Sequence, residues 1–308
     1  MKIVKTARDP QFALRIMKAI NDWNIQHVQV QTISWCNRSC EFCPSKKFYR
    51  KPRLMSLVTY QRIIDELAAL GFSGRFSPFL QCEPLLDKRL PELISIAHES
   101  LPRAKLLIQT NGDMLTAQKG ITLFRAGLHK LVINCYDDEK GRLGRLHSIA
   151  TEITNQMPDV KYAKGGFHMM IRPERSNRVR QEITIENKTT WTKDGQENWA
   201  GNVPGIHLVR EPMKAWCFRP FYQLYVHYNG NVVLCCCDWK GDVVFGNIQE
   251  KSLDEIFSGP VATTYRQNLK NKNRQMKLCD VCDYPGKLPL SARISYYVIN
   301  FMNRLRGS

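Results

Sequence analysis

The stretch HVQVQTISWCNRSCEFC (27–43) decides the fold of this chain. Residues 27–34 alternate apolar and polar side chains, a pattern typical of a β-strand with one buried face. The strand runs directly into Cys36, Cys40 and Cys43, which have the spacing Cys-x3-Cys-x2-Cys. Three thiolates on one short loop can hold three irons of a cubane cluster and leave the fourth iron without a protein ligand. The stretch therefore predicts an open iron–sulfur site at the end of a strand, and a zinc site or cysteines without a shared role are the alternatives.

Strand and helix patterns alternate along the chain on either side of this loop. The predicted strands are 27–34, 75–80, 104–110, 130–136 and 166–172, and the predicted helices are 10–23, 56–71, 88–100, 115–127 and 140–156. This order is typical of parallel strands joined by helical crossovers, in which chemistry gathers at the carboxyl ends of the strands. We therefore expect the residues that follow or end the predicted strands to lie together where the carboxyl ends of the strands meet. These residues are Cys36, Glu83, Asn111 and Cys135. The polar stretch 173–205 is predicted as a long active-site loop or a connector.

Composition narrows the class of protein. The chain has 308 residues and a formal net charge of +17, which concerns partners more than fold. No apolar run is long enough to span a bilayer, and the N-terminus lacks an apolar signal core, so we expect a cytoplasmic protein. Such proteins rarely form disulfides, so the clustering of seven of the 11 cysteines into two sets indicates metal binding. The cysteines outside the sets are Cys82, Cys135, Cys236 and Cys237.

The second cysteine set lies in the C-terminal third. Cys217 precedes the predicted hairpin 221–238, whose turn is Asn229–Gly230 and which carries Cys235, and Cys279 and Cys282 form a later CxxC pair. Four thiolates can close a [4Fe–4S] site, and a zinc site remains the alternative on spacing alone. Because side chains alternate along a strand, we expect Cys236 to face away from Cys235 and Cys237 to share its face.

The first cysteine set resembles the signature of the radical S-adenosylmethionine (SAM) superfamily. In that family the open iron chelates SAM, and one electron from the cluster releases methionine and a 5′-deoxyadenosyl radical. The resemblance implies that Phe42, before the third cysteine, lies against the SAM adenine. LQCEPLLD (80–87) is similar to the family's GGEP motif, with Glu83 as the matching acid and Gln81 and Cys82 in place of the glycines.

Two further positions extend the resemblance, which covers residues 27–205. IQTNG (108–112) is similar to the family's TNG segment near the SAM ribose and carboxylate, which implies a SAM contact for Asn111. Asn134, near the end of its strand, matches a polar position that often meets the ribose.

The C-terminal cysteines resemble a SPASM/twitch domain, and their spacing is similar to that of aminoglycoside-pathway dehydrogenases of this superfamily. The shorter twitch form, with one auxiliary [4Fe–4S] cluster, is implied because no cysteine follows Cys282. The Gly230-to-Cys235 spacing favours Cys235 as the hairpin ligand, with Cys236 and Cys237 as the alternatives.

The expected fold is α/β, a partial (β/α)6 TIM-like radical SAM barrel followed by a small β-hairpin and helix twitch domain. The expected parts are an N-terminal helix (1–26), the barrel (27–205), the auxiliary cluster domain (206–290) and a C-terminal amphipathic helix (291–308).

The resemblance implies a radical SAM oxidoreductase that abstracts hydrogen from a polar substrate, with an auxiliary cluster assisting a dehydrogenase-type oxidation. Arg172, which ends a predicted strand, could bind an anion or stabilise a developing alkoxide. One alternative is a radical epimerase in which Cys135 or Cys82 returns a hydrogen atom. Peptide or protein maturation is another, and a non-catalytic iron–sulfur electron carrier is a remote one.

The basic surface suits several partners. Acidic flavodoxin or ferredoxin donors would meet it faster because the charges are complementary. A phosphorylated or nucleotide-linked small-molecule substrate would explain the same residues, and a peptide substrate is a further alternative. Nucleic acid has no recognition motif here beyond charge.

Overall fold

The computed structural model describes residues 25–48, 51–164, 181–191, 197–203, 205–206 and 209–286. The predicted helix at 10–23, the predicted strand at 166–172, Arg172 and the C-terminal helix at 291–308 lie outside these residues.

One sheet runs through the described part of the chain. Its strands are β1 (His27–Val30), β2 (Arg75–Ser77), β3 (Lys105–Thr110), β4 (Lys130–Cys135), β5 (Lys161–Lys164), β6 (Glu182–Asn187), β7 (Gln223–Val226), β8 (Asn231–Val233) and β9 (Val244–Asn247). Their order is β5-β6-β4-β3-β2-β1-β7-β8-β9. The pairs from β5 to β7 along this order are parallel, whereas β7, β8 and β9 pair antiparallel. The predicted α/β barrel architecture with parallel strands is confirmed.

Helices lie between the parallel strands, and two further helices follow the last strand. They are α1 (Ser45–Phe48), α2 (Leu57–Ala69), α3 (Leu90–Ser100), α4 (Ala117–Arg125), α5 (Arg142–Gln156), α6 (Arg219–Tyr222), α7 (Leu253–Ser258) and α8 (Pro260–Lys270). The Ser56 side chain caps α2 by accepting a hydrogen bond from the Thr59 amide. Ile63, Ile64 and Leu67 lie on the buried face of α2, and burial of this face is what holds the helix on the sheet.

Strand β6 corrects the sequence prediction for residues 173–205. The segment Glu182–Asn187 is a strand between β4 and β5, not part of a loop. Ile183 and Ile185 are buried on one face, and Thr184 and Glu186 are buried on the other. The loop prediction was wrong because it took polar residues as a sign of solvent exposure. A central strand is covered on both faces, and here one of the two buried faces carries the polar residues Thr184 and Glu186.

The C-terminal part continues the same sheet. Strand β7 pairs in parallel with β1, and β7 and β8 form the predicted hairpin around Asn229 and Gly230. Gly230 adopts a positive φ of 85° and its amide bonds to the His227 carbonyl at 2.9 Å, which suits glycine at this turn. Within the described residues, no helix has both the length and the apolar character needed to cross a bilayer.

Candidate active site

The first cysteine set forms a loop between β1 and α1. Cys36, Cys40 and Cys43 are half-buried free thiols. Burial raises the pKa of Cys36 to about 11 and that of Cys43 to about 12, and the neighbouring cysteine charges add to both shifts. Buried thiols placed close enough to repel one another as thiolates suit a cationic iron site that would stabilise the ionised form. The donor set therefore fits a [4Fe–4S] cluster.

An arginine fork holds this loop against the sheet mouth. Arg38 donates to Asp113 from Nε at 2.8 Å and from Nη2 at 2.7 Å, and to Asp137 from Nη1 at 2.6 Å. Asp113 and Asp137 follow β3 and β4, and Arg142 of α5 pairs with both carboxylates. Sequence reasoning missed this network, although an arginine within the cysteine loop and acids after successive strands are visible in the sequence.

Glu83 anchors the loop after β2. Its amide donates to the Trp35 carbonyl at 2.9 Å, which places it beside the cysteine loop. Its carboxylate accepts hydrogen bonds from Thr110 Oγ1 (2.6 Å), the Asn111 amide (2.7 Å) and the Leu85 amide (3.0 Å). Burial raises the pKa of Glu83 to about 7 in spite of these donors. A cation beside it would favour its ionised form.

Two asparagines lie at the ends of β3 and β4. Asn111 Nδ2 donates to Asn37 Oδ1 at 2.9 Å and lies 3.9 Å from the Cys36 sulfur. Asn134 is buried, and its Oδ1 has no hydrogen-bond partner among the described residues. A buried polar atom without a partner costs free energy, so Asn134 is suited to a ligand with hydroxyl groups such as the SAM ribose.

An aromatic cluster surrounds Phe42, which directly precedes the third cysteine. The Phe42 ring centroid lies 5.3 Å from that of Tyr136 and 5.9 Å from that of Trp191. Lys188 Nζ lies 4.2 Å from the Trp191 centroid and 3.1 Å from Glu186 Oε2. The Lys188 and Glu186 side chains are buried at the carboxyl end of β6. Sequence reasoning missed both because it assigned this stretch to a loop.

The two candidate hydrogen-donor thiols differ in their surroundings. Cys135 ends β4 as predicted, but it is buried and its Sγ donates to the Asp137 carbonyl at 3.0 Å. Cys82 is half-buried between Gln81 and Glu83, and burial raises the pKa of its thiol. The internal hydrogen bond of Cys135 gives the epimerase alternative no support. Arg172, the third candidate catalytic residue, lies outside the described residues.

The second cysteine set gathers beside α6 and after α8. Cys217 precedes α6, and Cys279 and Cys282 lie in turns after α8, with the Cys282 amide 3.4 Å from the Cys279 carbonyl. Burial raises the pKa of Cys279 to about 12 and that of Cys282 to about 11, and the charge of Cys217 adds to both. These three thiols therefore lie close together, which fits ligation of a second cluster.

The three consecutive cysteines lie beyond the end of β8, so the predicted alternation of their side chains does not apply. The chain turns after β8, and the Asp238 amide bonds to the Cys235 carbonyl at 3.0 Å. Cys237 is fully buried and its sulfur accepts a 3.1 Å hydrogen bond from Arg219. Cys235 and Cys236 are half-buried beside the other cysteines. Alternation requires an extended strand, and the strand stops at Val233.

Comparison with known families agrees with this arrangement. Residues 30–135 match the radical SAM superfamily, and residues 217–283 match SPASM, an iron–sulfur cluster-binding domain. The chain is a radical SAM enzyme with a C-terminal SPASM-type domain, as the sequence predicts. Its cofactors are SAM, the SAM-binding [4Fe–4S] cluster and an auxiliary [4Fe–4S] cluster.

The proteins similar to this chain include two curated proteins and one solved structure. The chain is 25% identical over 258 residues to the S-adenosyl-L-methionine-dependent 2-deoxy-scyllo-inosamine dehydrogenase of Niallia circulans, covering 83% of this chain and 92% of that protein. It is 30% identical over 118 residues to the GTP 3′,8-cyclase of Chlorobaculum tepidum, covering 38% of this chain and 35% of the cyclase. The crystal structure of BtrN with AdoMet and 2-DOIA has the same fold, with a TM-score of 0.67 at 24% identity over 85% of this chain and 94% of BtrN.

Proposed function

We propose that this enzyme oxidises a hydroxyl-bearing carbon of a small polar metabolite to a ketone. The observation that carries the proposal is the presence of a complete second set of thiols in addition to the open three-cysteine site. SAM cleavage requires the first cluster alone, so a separate cluster site suits a reaction that must also dispose of an electron. The similarity to a SAM-dependent dehydrogenase over 92% of its length supports the same reaction type.

The cofactors and the chain share the work of this oxidation. When bound, SAM and its cluster supply a radical that removes a hydrogen atom from the substrate carbon. Ketone formation then requires loss of the hydroxyl proton and of one electron. The chain must therefore hold SAM, accept a proton and provide a site for the electron.

We assign SAM binding to the residues at the mouth of the sheet. Cys36, Cys40 and Cys43 would hold the cluster. Phe42 would contact the adenine, and Glu83 would pair with the SAM ammonium group. The remaining assignments are Asn111 and Asn134, with Asn134 Oδ1 bonding to a ribose hydroxyl.

The best candidates for the proton acceptor are Glu186 and Lys188, which form a buried ion pair. Glu83 is poorly suited because its carboxylate already accepts three hydrogen bonds and would face SAM. Lys188 lies against the aromatic cluster beside Phe42, and burial lowers its pKa, which favours the neutral amine that accepts a proton. Arg172 remains a candidate for binding a substrate anion or alkoxide.

The auxiliary cluster is assigned to Cys217, Cys235, Cys279 and Cys282 in a domain spanning 206–290. An acidic flavodoxin or ferredoxin would supply the electron for SAM cleavage, because the net charge of +17 favours an acidic partner. The same positive charge would favour the binding of a phosphorylated substrate.

A single-turnover experiment tests the proposal. The anaerobically reconstituted enzyme is mixed with SAM, dithionite and a panel of aminocyclitols and polyols, and 5′-deoxyadenosine and carbonyl products are counted. Oxidation predicts one ketone per 5′-deoxyadenosine, and deuterium at the carbinol carbon should appear in 5′-deoxyadenosine. Lys188→Met should retain 5′-deoxyadenosine formation better than ketone formation. Products with inverted configuration and solvent hydrogen would instead indicate epimerisation.

A further inference from the structure

Arg219 is a largely buried cation near the auxiliary cysteines, with a side chain that is 12% exposed. It begins α6, two residues after Cys217, and its Nη1 donates to the Cys237 sulfur at 3.1 Å. Its Cζ lies 3.6 Å from the Tyr284 ring centroid, and Nη2 pairs with Glu197 at 3.2 Å. Within the described part of the chain its counter-charge is this partly exposed carboxylate, and its other two contacts are the Tyr284 ring and the Cys237 thiol.

Arg274 contacts the chain segments on both sides of the auxiliary cysteines. It follows α8 and is 2% exposed. Its guanidinium donates to the carbonyls of Ala215 (2.9 Å), Trp216 (3.1 Å) and Tyr284 (2.6 Å). Among the described residues, no carboxylate forms an ion pair with Arg274. The arginine joins the segment before Cys217 to the segment after Cys282.

The two arginines lie next to the predicted ligands along the chain. Arg219 is two residues after Cys217. Arg274 donates to the carbonyls of Trp216, which directly precedes Cys217, and of Tyr284, two residues after Cys282. Among the described residues, Glu197 is the one carboxylate that forms an ion pair with either guanidinium group. A buried charge is expensive unless an opposite charge compensates it. A cluster held by four thiolates is anionic and would supply that compensation.

Fixed positive charge also has a redox consequence. Reduction adds one negative charge to an iron–sulfur cluster, and net charge, hydrogen bonds to sulfur and solvent exposure set its potential. A buried cation stabilises the reduced form more than the oxidised form, because the reduced form carries more negative charge.

We propose that Arg219 and Arg274 form a cationic cradle that raises the reduction potential of the auxiliary cluster and makes that cluster an electron acceptor. This inference rests on the proposed oxidation, because the electron that leaves the substrate needs an acceptor. It sets the direction of transfer toward the auxiliary site.

The test measures the auxiliary cluster without turnover. In a Cys36→Ala/Cys40→Ala/Cys43→Ala background only the auxiliary cluster can assemble, and its midpoint potential is followed by EPR during redox titration. Arg219→Gln and Arg274→Gln should each lower the potential, and the double variant should lower it further. Arg219→Lys and Arg274→Lys, which keep the charge but lose the fork, should stay close to the parent.

Arg266→Gln is the matched control. Arg266 is also a buried arginine, but it lies on α8 and donates to the Phe257 carbonyl in α7. Its replacement should leave the potential unchanged. Glutamine variants that bind a full cluster at the parent potential would overturn the proposal. If the glutamine variants bind no cluster, the lysine variants provide the test. A midpoint potential well below that of the parent in these variants would show that guanidinium geometry, and not positive charge, sets the potential, and would overturn the proposal.

Failure of the cradle and failure of the proposed oxidation give different results. Lowered potentials in the glutamine variants, with no ketone formed by the parent enzyme, would leave the cradle standing and remove the oxidation. Ketone formation by the parent, with unchanged potentials in the variants, would remove the cradle alone.

Discussion

The side-chain amide of Gln81 donates a 2.8 Å hydrogen bond to the carbonyl oxygen of Cys236. The bond joins the loop after β2, which carries Glu83, to the turn of auxiliary cysteines. Gln81 has a φ of 53°, in the left-handed region where glycine is favoured. The family's motif has a glycine in this segment, whereas this chain has a glutamine with a strained backbone, and its side chain reaches the second site.

Replacement of Gln81 should therefore depend on which residue is introduced. Gln81→Ala keeps the left-handed strain and loses the hydrogen bond, so it should lower the free energy of unfolding by about 1 kcal/mol. Gln81→Gly loses the bond but relieves the strain, so its stability should stay close to that of the parent. Urea unfolding of the apoprotein measures both. A glycine variant as unstable as the alanine variant would contradict the strain argument.

Serine variants of the three consecutive cysteines should identify the hairpin ligand. The parent should bind about eight irons per chain, and Cys235→Ser should bind about four. Cys236→Ser and Cys237→Ser should remain near the parent value. Iron and sulfide analysis after anaerobic reconstitution provides the count. Loss of iron in Cys236→Ser with retention in Cys235→Ser would move the ligand by one residue.

Arg38→Lys should loosen the first cysteine loop. Lysine keeps the charge but cannot bridge Asp113 and Asp137, so we expect a loss of about 1–2 kcal/mol in the apoprotein and slower iron uptake. Faster labelling of the loop cysteines by a thiol reagent would report the loosened loop directly. Arg53→Lys, at an exposed position on the following segment, is the control. Equal labelling rates for both variants would show that the arginine fork does not shape the loop.

Glu83 should make the apoprotein less stable as the pH rises. Burial raises its pKa from 4.5 to about 7, so the folded state favours the protonated carboxyl. The stabilisation is complete below pH 4.5 and is lost as the pH rises through 7, with a size of about 3 kcal/mol. Glu83→Gln should flatten this slope in unfolding free energies measured from about pH 5 to about pH 8. Glu92→Gln, an exposed change on α3, should leave the slope intact.

The sequence predicts those parts of the site that depend on short-range pattern. Alternating residues place β1, and the cysteine spacing places the iron loop directly after it. The positions of Glu83, Asn111 and Asn134 follow because the carboxyl ends of parallel strands meet at one edge. Each of these inferences needs only a few neighbouring residues.

The features that the sequence does not predict depend on distant partners. Strand β6 buries Glu186 and Thr184 because β4 and β5 flank it, and its polar residues hide this role. Arg274 contacts the carbonyls of Trp216 and Tyr284, and no periodic pattern marks a lone arginine of this kind. The turn at Cys236 appears only once the end of β8 is known.

The parallel ladder between β1 and β7 has a mechanical consequence. The iron loop follows β1, and the auxiliary cysteines follow the hairpin that begins with β7, so both metal-bearing segments extend from adjacent strands. The two strands pair directly, so a change in their separation would require breaking main-chain hydrogen bonds. Electron tunnelling depends steeply on distance. The pairing of the two strands fixes the distance between the two segments, so the tunnelling rate between them should not depend on domain motion.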